Sequence, residues 1–220
     1  MAAGLGAGRG AGTAQGVARL GRGDFRRAAA AAGERGAPFE RAGAGRRASA
    51  AGHHGTMGTR APDDLVLRDL TAGAGPVCRS ILAALPKWFG IPASVEDYVA
   101  AADRNCTVVG SCGDTDVGLA TIVRHSEYAA EVYVMGVLPE YHHRGVGRAM
   151  LGHAEAALAA DGIEFLQVKT LSASHPDEGY RRTRAFYLAY GFRPLEEFPT
   201  LWSPDQPALQ LVKTISVVRT

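Results

Sequence analysis

A strand that runs into a glycine-bearing turn and straight on into a helix restricts this chain more than any other feature. Ala130–Leu138 alternates as a strand does, with Glu131, Tyr133 and Met135 on one face and Val132 and Val134 on the other. Gly136 stands where a bulge or a close backbone approach is expected. The next block, Val137-Leu138-Pro139-Glu140-Tyr141-His142-His143-Arg144-Gly145-Val146-Gly147-Arg148, precedes a helix from about Gly147 to Ala160. That helix carries Met150, Leu151, Ala154, Ala157 and Leu158 as its apolar stripe, and Asp161-Gly162 ends it. Gly145 and Gly147 lack Cβ, so the backbone there can turn sharply and approach a ligand. The first amides of the helix point out of its end unpaired, and with the helix dipole they make a phosphate or pyrophosphate site. Arg144 and Arg148 add positive charge beside it.

Other phosphate-binding loops fit less well. The P-loop needs a Lys that this block lacks, and the dinucleotide fingerprint fails because Met150 occupies its third glycine position.

The remaining elements follow from periodicity and punctuation. Leu65–Leu70 reads as a strand ended by Gly73 and Gly75, and Pro76 starts a helix that Pro86 stops. Ser94 is the expected N-cap of a second helix, with Asp97 at its capping-box position. Strands at Thr107–Ser111 and Val117–Arg124 flank the turn signal Gly113-Asp114. After the glycine turn and its helix come a strand over Ile163–Thr170, a helix over Tyr180–Tyr190 closed by Gly191, and strands over Phe192–Phe198 and Ala208–Thr214. The order β-α-α-β-β-β-α-β-α-β-β predicts one α/β (α+β) domain with a mixed, mostly antiparallel sheet flanked by helices.

Composition decides which part of the chain can build that domain. Residues 1–56 contain 17 Ala, 14 Gly and 9 Arg, and their only large apolar residues are Leu5, Val17, Leu20, Phe25 and Phe39. Such a stretch cannot bury enough surface to offset its ordering entropy, so it is expected to be a disordered extension. A transit peptide or a basic nucleic-acid arm are the other readings, and Met57 is an alternative start. The overall net charge of +2 hides a basic 1–56 and a mildly acidic 57–220. Nucleic-acid binding is therefore not expected of the folded part. Cys78, Cys106 and Cys112 show no metal or C-x-x-C spacing and fit a reducing, cytoplasmic setting. No apolar run is long enough for a membrane helix. His142-His143 and His53-His54 lack metal-ligand spacing and read as solvated loop residues, so no metal is expected.

Two motifs together carry a family resemblance. Val137-x-Pro139 followed by Arg144-Gly145-Val146-Gly147 resembles the [Q/R]-x-x-G-x-[G/A] signature of the GNAT family of N-acetyltransferases, with His142 in the first position. Thr183-Arg184-Ala185-Phe186-Tyr187-Leu188-Ala189-Tyr190-Gly191-Phe192 is similar to the family's A-x-x-F-Y-x-x-x-G-F helix, with Thr183 for Ala and Tyr180 where Asn often stands. The resemblance covers roughly residues 64–215. It implies a GNAT-like twisted sheet, acetyl-CoA as cosubstrate, and direct acetyl transfer to the amine of a small molecule or protein by a monomer or homodimer. A non-catalytic acyl-CoA-binding or regulatory module is the alternative.

The resemblance also implies residue roles. Acetyl-CoA would lie on Met135, Val137 and the run His142, His143, Arg144, Gly145, Val146, Gly147 and Arg148. Tyr187 would be the acid that protonates the departing thiolate, and Glu131 the base, direct or through water. Tyr133, His125, Glu127, Glu196, Glu197 and Trp202 are candidates for the acceptor side.

Overall fold

The computed structural model describes residues 60–216. The expectations for residues 1–56, Met57 and His53-His54 lie outside the described residues. The elements are β1 (Leu65–Leu70), α1 (Gly75–Ala83), α2 (Pro92–Ala102), β2 (Thr107–Cys112), β3 (Thr115–Arg124), β4 (Ala129–Val137), α3 (Val146–Ala160), β5 (Phe165–Leu171), α4 (Glu178–Tyr190), β6 (Arg193–Ser203) and β7 (Gln206–Thr214). A single 3₁₀ turn, Pro139–Tyr141, leads from β4 towards α3.

The strands form one seven-stranded sheet in the order β1-β2-β3-β4-β5-β7-β6. Every pairing is antiparallel except β4 with β5. The predicted class and element order hold. The parallel pair is short, running only from Ala129↔Phe165 to Val132↔Val168. Beyond it the two strands part, and the sheet forks in its middle.

Helices cover both faces. One core gathers Met150, Leu151, Ala154 and Leu158 of α3 against Val108, Val117, Val132, Val168 and Leu211, with Tyr187 and Phe192 closing it. The other packs Cys78, Ile81 and Leu82 of α1 and Val99 of α2 on Leu119 and Val134. The close approach expected at Gly136 is real. A Cβ there would come within 3.0 Å of both Ile81 Cγ2 and Leu85 Cδ1, so α1 rests directly on the β4 backbone.

Three local readings need correction. The second helix starts at Pro92 with Ile91 as its N-cap residue, and Ser94 makes no cap hydrogen bond. Proline's preset φ and missing N–H suit it to the first turn, and that preference wins. The last helix begins two residues earlier than expected because Asp177 caps it, accepting from the Tyr180 amide at 2.8 Å. The face assignment along β4 is also wrong. The register on β3 passes from Thr121↔Val134 to Ile122↔Val132, which leaves Tyr133 as the bulged residue. A bulge inserts one residue and resets alternation. Met135 therefore packs with the α3 core, and Tyr133 packs with the α1–α2 core.

Candidate functional site

The fork between β4 and β5 opens a cleft of about 810 Å³. Its lining comes from β4, the glycine turn, the start of α3, β5, α4 and the segment after α1. Met135, Val137, His142, His143, Gly145, Val146, Gly147, Arg148, Glu131 and Tyr187 all border this one space, as do Tyr133 and Trp202.

The turn is built for exposed amides. His143 (φ 59°) and Gly145 (φ 78°) both adopt left-handed backbone, which wraps the chain tightly before α3. The first helical bond is from the Ala149 amide to the Gly145 carbonyl, at 2.9 Å. Among the described residues, the amides of Gly145, Val146, Gly147 and Arg148 have no protein acceptor. These four donors sit at the positive end of a 15-residue helix. The side chains around them are held elsewhere. His142 Nε2 donates to the Val137 carbonyl at 2.7 Å, tying the turn back to the end of β4. The Arg144 guanidinium lies 5.0 Å from the centre of the Tyr141 ring. Arg148 lies 5.4 Å from the Tyr190 ring and donates to the Ala189 carbonyl at 3.1 Å. The turn thus offers main-chain donors to the cleft, while the arginines rest on neighbouring rings and Arg144 does not border the cleft.

On the same sheet face, Tyr187 reaches the cleft from α4. It is 5% exposed and packs edge-on to Phe186 and Phe192, with ring centroids 5.3 and 5.4 Å away. Burial pushes its phenol well above the ordinary tyrosine range, so the hydroxyl keeps its proton throughout the neutral range. Thr170 lies on this side of β5 and lines the cleft. It is 3% exposed, and its hydroxyl is the one buried side-chain polar atom without a hydrogen-bond partner among the described residues.

Glu131 lies at the floor of the opposite side, 4% exposed. Lys169 Nζ contacts its two oxygens at 3.0 and 2.9 Å, and His125 Nε2 donates at 2.6 Å. Burial alone would raise this carboxyl's pKa. The His125 hydrogen bond and the Lys169 charge outweigh burial and hold it below the usual glutamate range. Glu131 is therefore a fixed carboxylate with low proton affinity.

Of the other acceptor-side candidates, His125 acts through Glu131, while Glu127 is exposed in the β3–β4 turn. Neither Glu127, Glu196 nor Glu197 borders the cleft. Glu197 instead accepts from Ser172 and Ser174 at 2.5 and 2.7 Å, joining β5 to β6.

Sequence reasoning missed Lys169, Thr170 and Trp88. Lys169 is 38 residues from Glu131, and only the β4–β5 register brings the two together. Trp88 spans the cleft mouth. Its ring meets His142 edge-on at 5.9 Å, and its carbonyl accepts from the Tyr180 hydroxyl at 3.2 Å. The expected Asn position is thus filled by a residue that holds this segment across the opening.

Residues 98–194 match the family model described as an acetyltransferase (GNAT) domain. A curated relative, an uncharacterized protein of Mycobacterium leprae, is 39% identical over 82 residues, covering 36% of this chain and 23% of its own length. The chain thus spans about a quarter of that relative. Solved structures share the fold at low identity. A GNAT-family protein of Desulfovibrio desulfuricans superposes with a TM-score of 0.61 at 17% identity, over 69% of this chain and 99% of its own. The ribosomal-protein-S18-alanine N-acetyltransferase of Escherichia coli gives 0.56 at 18%, over 70% and 96%. A GNAT family acetyltransferase of Elizabethkingia anophelis, solved with acetyl-CoA bound, gives 0.55 at 14%, over 70% and 99%. Among the described residues, no helix is long and apolar enough to cross a membrane.

Proposed function

We propose that this protein transfers the acetyl group of acetyl-CoA directly to an amine, with both substrates held in the cleft between β4 and β5. The observation that carries this reading is the run of four unpaired amides, Gly145 to Arg148, at the mouth of a fork in the sheet. A pyrophosphate suits those donors. The pantetheine arm then follows β4 past Val137 and Met135, where the backbone beyond Val132 is no longer paired to β5. Backbone donors along that edge polarise the thioester carbonyl as the tetrahedral oxyanion develops.

Tyr187 supplies the proton for the thiolate. Its raised pKa keeps the phenol protonated while the apolar packing of Phe186 and Phe192 fixes its direction. Glu131 stays ionised through its contacts with His125 and Lys169, and it accepts the amine's proton through water. With so low a proton affinity, it works as a relay rather than a store. The three cysteines are free thiols, as a reducing cytoplasm would keep them.

The test is CoA release from acetyl-CoA across a panel of amines. Tyr187→Phe should lower kcat by about a hundredfold or more while leaving the acetyl-CoA Kd within about twofold. Unchanged kcat would remove Tyr187 from the reaction. Tight acetyl-CoA binding with no turnover on any amine would instead indicate an acyl-CoA-binding module.

A further inference from the structure

The part of the cleft away from the phosphate turn has a wall made of rings. Phe89 and Tyr98 meet edge-on at 5.7 Å, and Tyr98 meets Tyr133 the same way, also at 5.7 Å. Leu201 and Trp202 border the same space. The Tyr133 bulge turns its ring towards this wall, where it joins Tyr98 and Phe89 in the α1–α2 core.

Charge on this wall is sparse, and most of it is already used. The charged residues that border the cleft outside the turn are Asp97, Glu131, Lys169 and Arg182, and Arg182 lies 3.8 Å from Glu178 on its own helix. Glu131 and Lys169 neutralise one another at 2.9 Å. Asp97 is exposed and makes no hydrogen bond or ion pair among the described residues. Its charge is felt by the neighbouring phenols, since Asp97 is among the causes that raise Tyr98 and Tyr133, after burial, with Arg104 opposing it more weakly at Tyr133. Asp97 is thus the one carboxylate bordering the cleft without a partner among the described residues, and it faces an aromatic surface.

Those facts discriminate between amine classes. A polyamine or aminoglycoside brings several cations to a wall with one free carboxylate. An acidic amine meets Asp97 with like charge and finds Lys169 already paired. A single ammonium on a flat apolar body satisfies both features, because ring faces attract cations and bury apolar area. Resting on the acetyl-transfer reading above, we propose that the acceptor is a small monocationic amine with an aromatic body, an arylalkylamine in chemical class. Asp97 draws in its charge, and the Phe89, Tyr98 and Tyr133 rings with Trp202 receive its body.

The experiment compares phenylethylamine, spermidine, glutamate and an alanyl tripeptide as acceptors for the full chain with saturating acetyl-CoA, following thiol release. Phenylethylamine should show the highest kcat/KM, by about tenfold or more. Asp97→Asn should raise its KM by about fivefold at low salt and leave kcat unchanged. A higher kcat/KM for any of the other three acceptors, or an unmoved KM in Asp97→Asn, overturns the assignment. If no amine releases CoA, acetyl transfer itself has failed, and calorimetric titration of phenylethylamine into the CoA-saturated protein decides the acceptor wall separately. Binding that Asp97→Asn weakens supports the wall, and absence of binding overturns it.

Discussion

Removing the ammonium that faces Glu131 exposes how the cleft floor is held together. In Lys169→Met a glutamate side chain that is 5% exposed loses its strongest counter-charge and keeps the 2.6 Å contact from His125 and a long one, 3.4 Å, from Gln167. Breaking a buried pair by deleting one partner costs about 3–5 kcal/mol. Lys169 keeps a quarter of its side chain in solvent, and His125 remains, so the cost belongs at the lower end, about 3 kcal/mol. For a folded unit of this size, that lowers Tm by about 6–12 °C. The double variant Lys169→Met/Glu131→Gln removes the stranded charge and should recover about 1–2 kcal/mol.

The pH dependence has a definite sign. Glu131 is held below the usual glutamate range, so its stabilisation is present above the unfolded value of about 4.3 and fades as pH falls through the lower folded value. Losing Lys169 raises the folded value, so Lys169→Met loses less on acidification than the wild type, and the gap between the two narrows as pH falls and Glu131 takes up a proton. Urea and thermal unfolding of the three proteins between about pH 4 and 8 measure both effects. The account fails if Lys169→Met lies within about 0.5 kcal/mol of wild type at neutral pH, or if the double variant is no more stable than the single.

Other expectations are simpler. Gly145→Ala places a Cβ at φ 78°, so it should cost about 1–2 kcal/mol of stability and weaken acetyl-CoA binding in equilibrium titration more than tenfold. Thr170→Val removes a buried hydroxyl without a protein partner, so the unfolding free energy should stay equal or rise by up to about 1 kcal/mol. If a substrate uses that hydroxyl, KM rises in the same variant. Burial pushes the Cys78 and Cys106 thiols up to about 11, leaving roughly one thiolate in a thousand at pH 8. A thiol reagent should therefore modify them far more slowly than an exposed cysteine, as mass spectrometry over time would record.

Much of the architecture was readable before any coordinates. The strand into Pro139, the turn around Gly145 and the stripe of α3 are local patterns, and local patterns report backbone directly. The Tyr187 helix was readable for the same reason. What escaped depends on distance or on competition between signals. Pro92 outcompetes Ser94 as the helix start, and Asp177 caps α4 from within a run of turn-forming residues. The Tyr133 bulge is set by the register with β3, and strict alternation through Met135 gives no hint of it. Lys169 is an ordinary strand lysine until β4 and β5 pair and bring it to Glu131. The phosphate turn was legible as glycines, but its arginines turned out to rest on Tyr141 and Tyr190.

The fork also bears on how freely this site can drift in sequence. A sheet that parts in its middle bares the inward edge of β4, walled by α3 and α4, where no neighbouring chain can add a strand. A molecule that pairs with that edge and with the amides of Gly145–Arg148 reads main chain, and main chain is the same whatever residue carries it. Substitution at positions such as Met135, Val137 or His142 changes the packing around the ligand without erasing the groups that recognise it. Binding of this kind outlasts the side chains of its own signature, while the ring-lined wall opposite, which works through side chains alone, is free to change partner with each replacement.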